Sequence, residues 1–354
     1  MPVVRAYAAQ SAKRPLGPWS LERREPGERD VLIEILYCGI CHTDVYMTRA
    51  DLIPGIFPMV PGHEIVGRVL QTGDHVTRHR IGDIVGVGCM VDSCRGCPEC
   101  ASGEEQFCDG LIATYNCYEK DGKTSTYGGY SSRITVDEHY VLKIPPSLSP
   151  AQAAPLLCAG ITTYSPLRHW RVGKGSRVGV IGLGGLGHVA VKIAVALGAE
   201  VTVFSTSSGK KADAERWNAA GFVVTTQGEW INPLKGHFDL ILNTVSADVP
   251  YDSYVQLLKR DGTLLLLGIP DKPLSANVIW LVQKRRSISA SIIGGIRETQ
   301  EMLDFCADHA VSADIELIPI TEVGAAYQRI LKSDVRYRFV IDLDSLRNMS
   351  WPGT

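Results

Sequence analysis

Four cysteines stand within fifteen residues of one another in CRGCPECASGEEQFC: Cys94, Cys97, Cys100 and Cys108. Thiolates at this spacing can enclose one tetrahedral zinc ion and leave no corner for water, the pattern of a metal that holds structure together. Free thiols that only pack and an iron–sulfur cluster are the rival readings, and unliganded thiolates so close would repel one another. A second chemical signal is GLGGLG. Here Gly182, Gly184 and Gly187 occupy the positions of G-x-G-x-x-G, with Gly185 and Leu186 inside the loop. Glycines so placed allow a tight turn and close approach of the backbone to a pyrophosphate held at a helix N-terminus. The apolar run Val178–Ile181 precedes the loop, the helical pattern Val189–Leu197 follows it, and Glu200–Phe204 reads as the next strand. That setting separates a dinucleotide site from a chance glycine turn.

The residues after Glu200–Phe204 bear on which dinucleotide. An NAD site wants an acid there for the ribose 2′-hydroxyl. This chain has Ser205, Thr206, Ser207, Ser208, Gly209, Lys210 and Lys211, with no acid before Asp213. Hydroxyl donors and ammonium groups suit a 2′-phosphate, so NADP(H) is expected. The alternative is an ordinary helix start followed by solvated lysines. Three further metal-binding side chains are isolated: Cys41 in GICHTD, His63 in PGHE and Cys158 in LLCAG. Spacing cannot join them, and each alone is more often a packed or turn residue.

These groups need elements to hold them. The first 150 or so residues are dense in Gly and Pro, with short β-like runs at Val31–Tyr37, Glu64–Gln71, Asp83–Val87 and Tyr130–Val136. That texture predicts a barrel-like β domain whose loops can carry a site. From Arg177 strands alternate with helices (Phe222–Thr225, Leu240–Asn243 and Thr263–Leu267; Lys210–Ala220 and Tyr251–Lys259), which predicts a doubly wound parallel sheet. After about Ile293, ETQEMLDFCADHA reads as an amphipathic helix and VRYRFVIDL as a strand. Composition leaves open which domain this tail joins.

At 354 residues the chain fits two domains, and 45% hydrophobic with 21% charged residues is ordinary globular composition. A net charge of −2 offers no electrostatic reason to hold nucleic acid or an anionic membrane. Small molecules or copies of the same chain are the expected partners. The N-terminus lacks the pattern of a secretory signal, and apolar runs are far shorter than the roughly 20 residues of a membrane span. A cytoplasmic location is expected, where clustered cysteines suggest metal before disulfides.

GICHTD, PGHEIVG, the four-cysteine lobe, LLCAGITTYSPL and GLGGLGHVAVKIA occur in this order, followed by GGIRETQEMLDFC and DVRYRFVID. Together they resemble the zinc-containing medium-chain alcohol dehydrogenases, in the cinnamyl alcohol dehydrogenase-like branch that includes bacterial aldehyde reductases. The resemblance covers essentially the whole chain. It implies a GroES-like catalytic domain over 1–154 with the zinc lobe at 89–110, a Rossmann domain over 155–292, and a return to the catalytic domain over 293–354. It implies two zinc ions, one structural and one catalytic, the latter held by Cys41, His63 and Cys158 with one position open. The family's reaction interconverts primary alcohols and aldehydes with NADP(H), here with aromatic and medium-chain aliphatic substrates and aldehyde reduction expected. Dimers or tetramers are usual, and Thr263–Ile269 and Ser287–Ile293 are candidates for the contact between subunits.

By the same resemblance Asp44 orients His63, Glu64 stands beside the metal, and Thr43 moves a proton between the substrate oxygen and the cofactor ribose. A histidine continues that relay in many relatives, whereas this chain has Tyr46, a relay residue through water or a pocket wall. Thr162, Asn243, Thr244, Gly268 and Ile293 are placed around the nicotinamide half of the cofactor. Arg338 is a pyrophosphate contact or a surface ion pair, and His42 a phosphate contact or a solvent-facing histidine. Leu52, Met90, Tyr115 and Ile292 would line an apolar substrate pocket, which favours uncharged aldehydes. The rival activities are an NAD-linked polyol or secondary-alcohol dehydrogenase, and a non-catalytic protein that binds zinc and nucleotide.

Overall fold

The computed structural model describes residues 3–270 and 272–349. The chain divides into two compact units, Met1–Ile161 with Gly294–Thr354, and Thr162–Ile293.

In the first unit β1 (Val3–Ala9) and β2 (Leu16–Glu22) form an antiparallel pair. The long strand β3 (Asp30–Gly39) is central, with Val31, Ile33 and Ile35 fully buried. Its carbonyl end leads through Cys41 into helix α1 (His42–Arg49). Strand β4 (Ile65–Thr72) pairs antiparallel with β3 on one side and with β5 (Ile84–Val87) on the other. A small ribbon of β6 (Met90–Asp92) and β7 (Ile112–Ala113) brackets the four-cysteine segment. Strand β8 (Arg133–Asp137) also pairs with β3, and β9 (Leu142–Lys143) with β5.

The second unit carries a six-stranded, wholly parallel sheet. Its strands are β10 (Arg177–Ile181), β11 (Glu200–Ser205), β12 (Gly221–Val224), β13 (Phe238–Asn243), β14 (Leu258–Leu266) and β15 (Ser287–Ala290). The spatial order is β12-β11-β10-β13-β14-β15, so sequence order reverses at β10 beside β13. That order is the dinucleotide-binding arrangement, with its crevice at the carboxyl ends of the strands flanking the reversal. Helix α2 (Gly187–Ala196) is apolar on most sides and is almost wholly buried. The apolar residues of β11, β13 and β14 meet helix α3 (Tyr251–Leu257) in one core, where Phe204 makes edge contacts with Phe238 and Tyr254. The helix read over Lys210–Ala220 is shorter, Lys211–Arg216. Leu258 belongs to β14, not to the preceding helix, because the chain turns straight into the sheet.

The tail contributes α4 (Ile296–Asp308), which buries Ile296, Thr299, Met302, Leu303 and Cys306 along one face. Strand β16 (Ile315–Pro319), helix α5 (Val323–Leu331) and strand β17 (Arg338–Asp342) follow. Strand β17 pairs with β16 and, through Val340–Asp342, antiparallel with the end of β3. The sequence's last strand is therefore bonded to the strand that delivers Cys41. No described helix is long and apolar enough to cross a membrane.

Candidate active site and metal centres

Cys41 caps the N-terminus of α1 in extended conformation, and Asp44 in the first turn accepts the Cys41 backbone N–H at 2.9 Å. The thiol is thereby fixed at the end of β3. Gly62, with φ of +103°, precedes His63. A side chain there would lie 2.7 Å from Cys38 Sγ and from the Tyr130 ring, so the turn that aims His63 inward requires glycine. Cys158 follows a buried helical turn, Ala154–Leu157. The fold carries Cys41, His63, Glu64 and Cys158 to one place: one ligand atom from each lies within 4.8 Å of the others, and all four residues are buried. The two sulfurs are 3.9 Å apart.

Asp44 is fully buried, and its carboxylate also accepts the Gly62 N–H at 3.1 Å and the Tyr130 hydroxyl at 3.3 Å. Tyr327 of α5 donates in turn to the Tyr130 oxygen at 3.4 Å. His63 Nδ1 faces Asp44 at 3.6 Å, and the Tyr115 ring lies nearly parallel to the imidazole, with centroids 5.8 Å apart and planes within 7°. Glu64 pairs with Arg338, both buried, while Glu64 Oε2 and Arg338 Nε have no hydrogen-bond partner. Gly39 makes room for that carboxylate, since a Cβ there would stand 2.0 Å from Glu64 Oε2.

The charges of this cluster lean on one another. Burial pushes the Asp44 carboxyl up and His63 opposes it. Burial raises Glu64 to about 7 against the pull of Arg338. The Cys41 thiol falls well below its ordinary value, first through the hydrogen bond from Cys158 and then through His63. Two thiols and an imidazole beside an unpaired carboxylate oxygen are donors that suit a zinc ion with an exchangeable fourth position.

The second cluster is built by short-range chain geometry. Cys94, Cys97, Cys100 and Cys108 present sulfurs within 4.8 Å of one another. Backbone N–H groups of Cys94, Gly96, Cys97, Cys100 and Gly110 point at those sulfurs at 3.3–3.5 Å. Such donors favour thiolates, and the Gly96 N–H is the first cause that lowers Cys94 to about 6. Ser93 lies 3.1 Å from Cys100 Sγ and 2.7 Å from the Tyr140 hydroxyl. Four soft donors with no open corner suit a structural zinc ion.

In the second unit Gly182 takes φ of +84°, and a Cβ on Gly187 would lie 2.1 Å from the Gly182 carbonyl. Gly184, Gly185 and Leu186 complete the loop into α2. Thr244 donates to the Ile181 carbonyl at 2.8 Å, which ties the end of β13 to the loop. Asn243 is fully buried with its Nδ2 unpaired, and a Cβ on Gly268 would meet the Val245 carbonyl at 2.2 Å. At the end of β11, Ser207 donates its N–H to Ser205 Oγ at 3.3 Å, and Thr206 is exposed. Lys210 Nζ donates to the Leu183 carbonyl at 2.7 Å, so this ammonium sits on the glycine loop instead of floating in solvent. Thr162 is buried and Ile293 takes φ of +29°.

Of the other expected residues, Thr43 Oγ1 lies 3.5 Å from Cys41 Sγ. Tyr46 stacks at a tilt on His42, 5.8 Å between centroids. Met90 is buried, while Leu52 and Ile292 are exposed. Tyr115 is only 5% exposed, with the His63 ring nearly parallel beside it. Arg338 is buried and pairs with Glu64, so it is not a surface ion pair. Tyr130, Tyr327 and Gly39 carry no local sequence signal, because they come from separate segments that only the tertiary fold brings to Asp44 and Glu64.

Two family models match this chain: the alcohol dehydrogenase GroES-like domain over residues 27–146 and the zinc-binding dehydrogenase domain over 185–308. The chain is 53% identical over 350 residues to NADP-dependent alcohol dehydrogenase C 1 of Mycolicibacterium smegmatis, covering 98% of this chain and 100% of that protein. It is a zinc-containing medium-chain alcohol dehydrogenase family member. Within that family it falls in the cinnamyl alcohol dehydrogenase-like branch. Aldehyde reductase YahK of Escherichia coli is 52% identical, with 96% of this chain and 98% of that protein covered. The solved cinnamyl alcohol dehydrogenase of Sorghum bicolor superposes with a TM-score of 0.95 at 39% identity over the whole of both chains. The expected fold, a Rossmann sheet joined to a GroES-like domain, is the one found.

Proposed function

We propose that this family member is a zinc-dependent oxidoreductase that interconverts primary alcohols and aldehydes with NADP(H), acting chiefly as an aldehyde reductase in the cytoplasm. The convergence of Cys41, His63 and Cys158 beside Glu64 carries the reading. In this proposal those three side chains hold a catalytic zinc, and Cys94, Cys97, Cys100 and Cys108 hold a structural one. Zinc supplies a Lewis acid that polarises a carbonyl, and NADPH supplies the hydride.

The protein's own groups do the rest. Asp44 holds the backbone of Cys41 and faces His63, so the donors are set before substrate arrives. Glu64 offers an unpaired oxygen inside the cluster, suited to stand in when the fourth position exchanges. In this reading Thr43, whose hydroxyl lies 3.5 Å from Cys41 Sγ, hands a proton to the product oxygen, with Tyr46 and His42 on the same helix. Gly182, Gly184 and Gly187 open the loop for the pyrophosphate. Ser205, Thr206, Ser207 and Lys210 supply hydroxyls and a cation for the 2′-phosphate. Aromatic and medium-chain aliphatic aldehydes are the proposed substrates, and the active form is a dimer or tetramer.

The test is a panel of aldehydes and alcohols assayed with NADPH and NADH on protein whose zinc content is known. Two zinc ions per chain and NADPH-dependent reduction of benzaldehyde- or hexanal-like compounds are expected. One zinc per chain, or faster turnover with NADH on polyols, defeats the reading.

A further inference from the structure

Resting on the metal reading above, we propose that Tyr115 is a positioning residue of the catalytic centre, its ring fixing the plane of the His63 imidazole. Asp44 cannot do this alone. The Nδ1–carboxylate separation of 3.6 Å is longer than a hydrogen bond, so it supplies charge but little direction. The aromatic ring beside the imidazole is Tyr115, parallel within 7° with centroids 5.8 Å apart, inside the range of offset aromatic pairs. In this proposal the ring borders the imidazole and limits its turning about the Cβ–Cγ bond, which would carry the donor nitrogen out of the cluster.

A wall must itself be immobile, and both neighbours of Tyr115 are tied. The Thr114 hydroxyl donates to the Gly88 carbonyl at 2.5 Å, and its N–H to the Cys89 carbonyl at 3.1 Å. Asn116 takes the left-handed conformation, φ +55°, and its Oδ1 accepts the Ile56 N–H at 2.7 Å. Its Nδ2 lies 3.4 Å from Met47 Sδ on α1, the helix that Cys41 caps. Tyr115 thus hangs between the β6–β7 ribbon and the segment around Cys41. Its hydroxyl is buried near the Asp44 carboxylate without a well-formed hydrogen bond, which leaves the ring as the part that meets His63.

The experiment compares wild type, Tyr115→Phe and Tyr115→Met in the zinc-loaded protein. Zinc loss to a chelator is followed with a metallochromic dye, and the ligand-field spectrum is recorded after cobalt exchange. Tyr115→Phe is expected to release zinc within about twofold of wild type. Tyr115→Met fills the space without a flat face and is expected to release one of two zinc ions at least about tenfold faster, the scale for residues supporting a ligand. Its cobalt spectrum should shift while the unfolding temperature of the zinc-loaded protein stays near wild type. Equal release from all three proteins overturns the inference, as does rapid release from Tyr115→Phe. Wild type holding one zinc per chain would instead refute the metal reading itself.

Discussion

Asp44 receives two backbone N–H groups and a tyrosine hydroxyl while facing His63, so every bond it makes asks for an acceptor. Replacing it by Asn keeps the shape but puts an amide donor against donors and removes the negative charge that His63 sees. Asp44→Asn is therefore expected to lower zinc affinity and kcat/KM by about 10–100-fold, with the four-cysteine zinc retained. Metal analysis after mild chelation, beside steady-state rates, checks this. A variant that keeps both zinc ions and full activity would show the carboxylate to be only a structural acceptor. At the cofactor end the corresponding residue is Lys210, docked on the loop carbonyl of Leu183. Lys210→Ala is expected to raise KM for NADPH about tenfold or more, since a charge-assisted contact to phosphate contributes about 1.5–3 kcal/mol. KM for NADH, which has no 2′-phosphate, should move much less. Equal rises for both cofactors would mean that Lys210 serves only the loop.

Among the elements, β3 does the most to assemble the Cys41–His63–Cys158 cluster, and its entry is locked by Asp30. That carboxylate is bound by the Arg24 guanidinium and by the Gly27 N–H at 2.6 Å. Burial works to raise its pKa, but the bonds to Arg24 and Gly27 outweigh it and leave the carboxyl below its ordinary 3.8. A depressed folded-state pKa gives stability that is complete above the unfolded value and disappears as pH falls through the folded one. Asp30→Asn should thus cost about 1–3 kcal/mol at pH 7, and the gap to wild type should narrow as pH falls below about 4. Urea midpoints at neutral and acid pH measure it; a gap independent of pH would deny the ion pair its role. The strand cores themselves were legible in the sequence, because alternating apolar residues such as Val31, Ile33 and Ile35 have one buried face to fill. The four-cysteine cluster was legible for a related reason: its ligands are neighbours, and local turns bring them together. The first centre was not, except by resemblance. Cys41, His63 and Cys158 lie on separate segments, and their meeting depends on which strands pair, which no local pattern encodes. Tyr115 shows the same limit: an aromatic residue reads alike whether it lines a pocket or braces a ligand.

At the scale of the whole molecule, the second unit ends in an edge. Of the two runs first considered for subunit contact, Thr263–Ile269 is largely internal, since β14 is flanked by β13 and β15. The outer strand is β15, and the short helix Val278–Val282 that precedes it exposes Val278 at 63% and Val282 at 64%, with Ile279 also exposed. Ile269 and Ile292 add apolar surface on neighbouring segments. A bare strand edge with branched apolar side chains nearby is what proteins avoid leaving in water, because it invites pairing with another chain. The simplest closed solution is a twofold axis that sets β15 against β15 of a second copy, each copy offering the same patch to the other. Acidic residues at the patch would then face their own images across the axis, where like charges brought out of water repel. The double substitution Val278→Glu with Val282→Glu is expected to halve the mass seen by sedimentation equilibrium, while zinc content and the circular dichroism of each chain stay unchanged. A wild type that is monomeric at micromolar concentration would mean that no such contact forms, and a double variant that still associates would place it elsewhere.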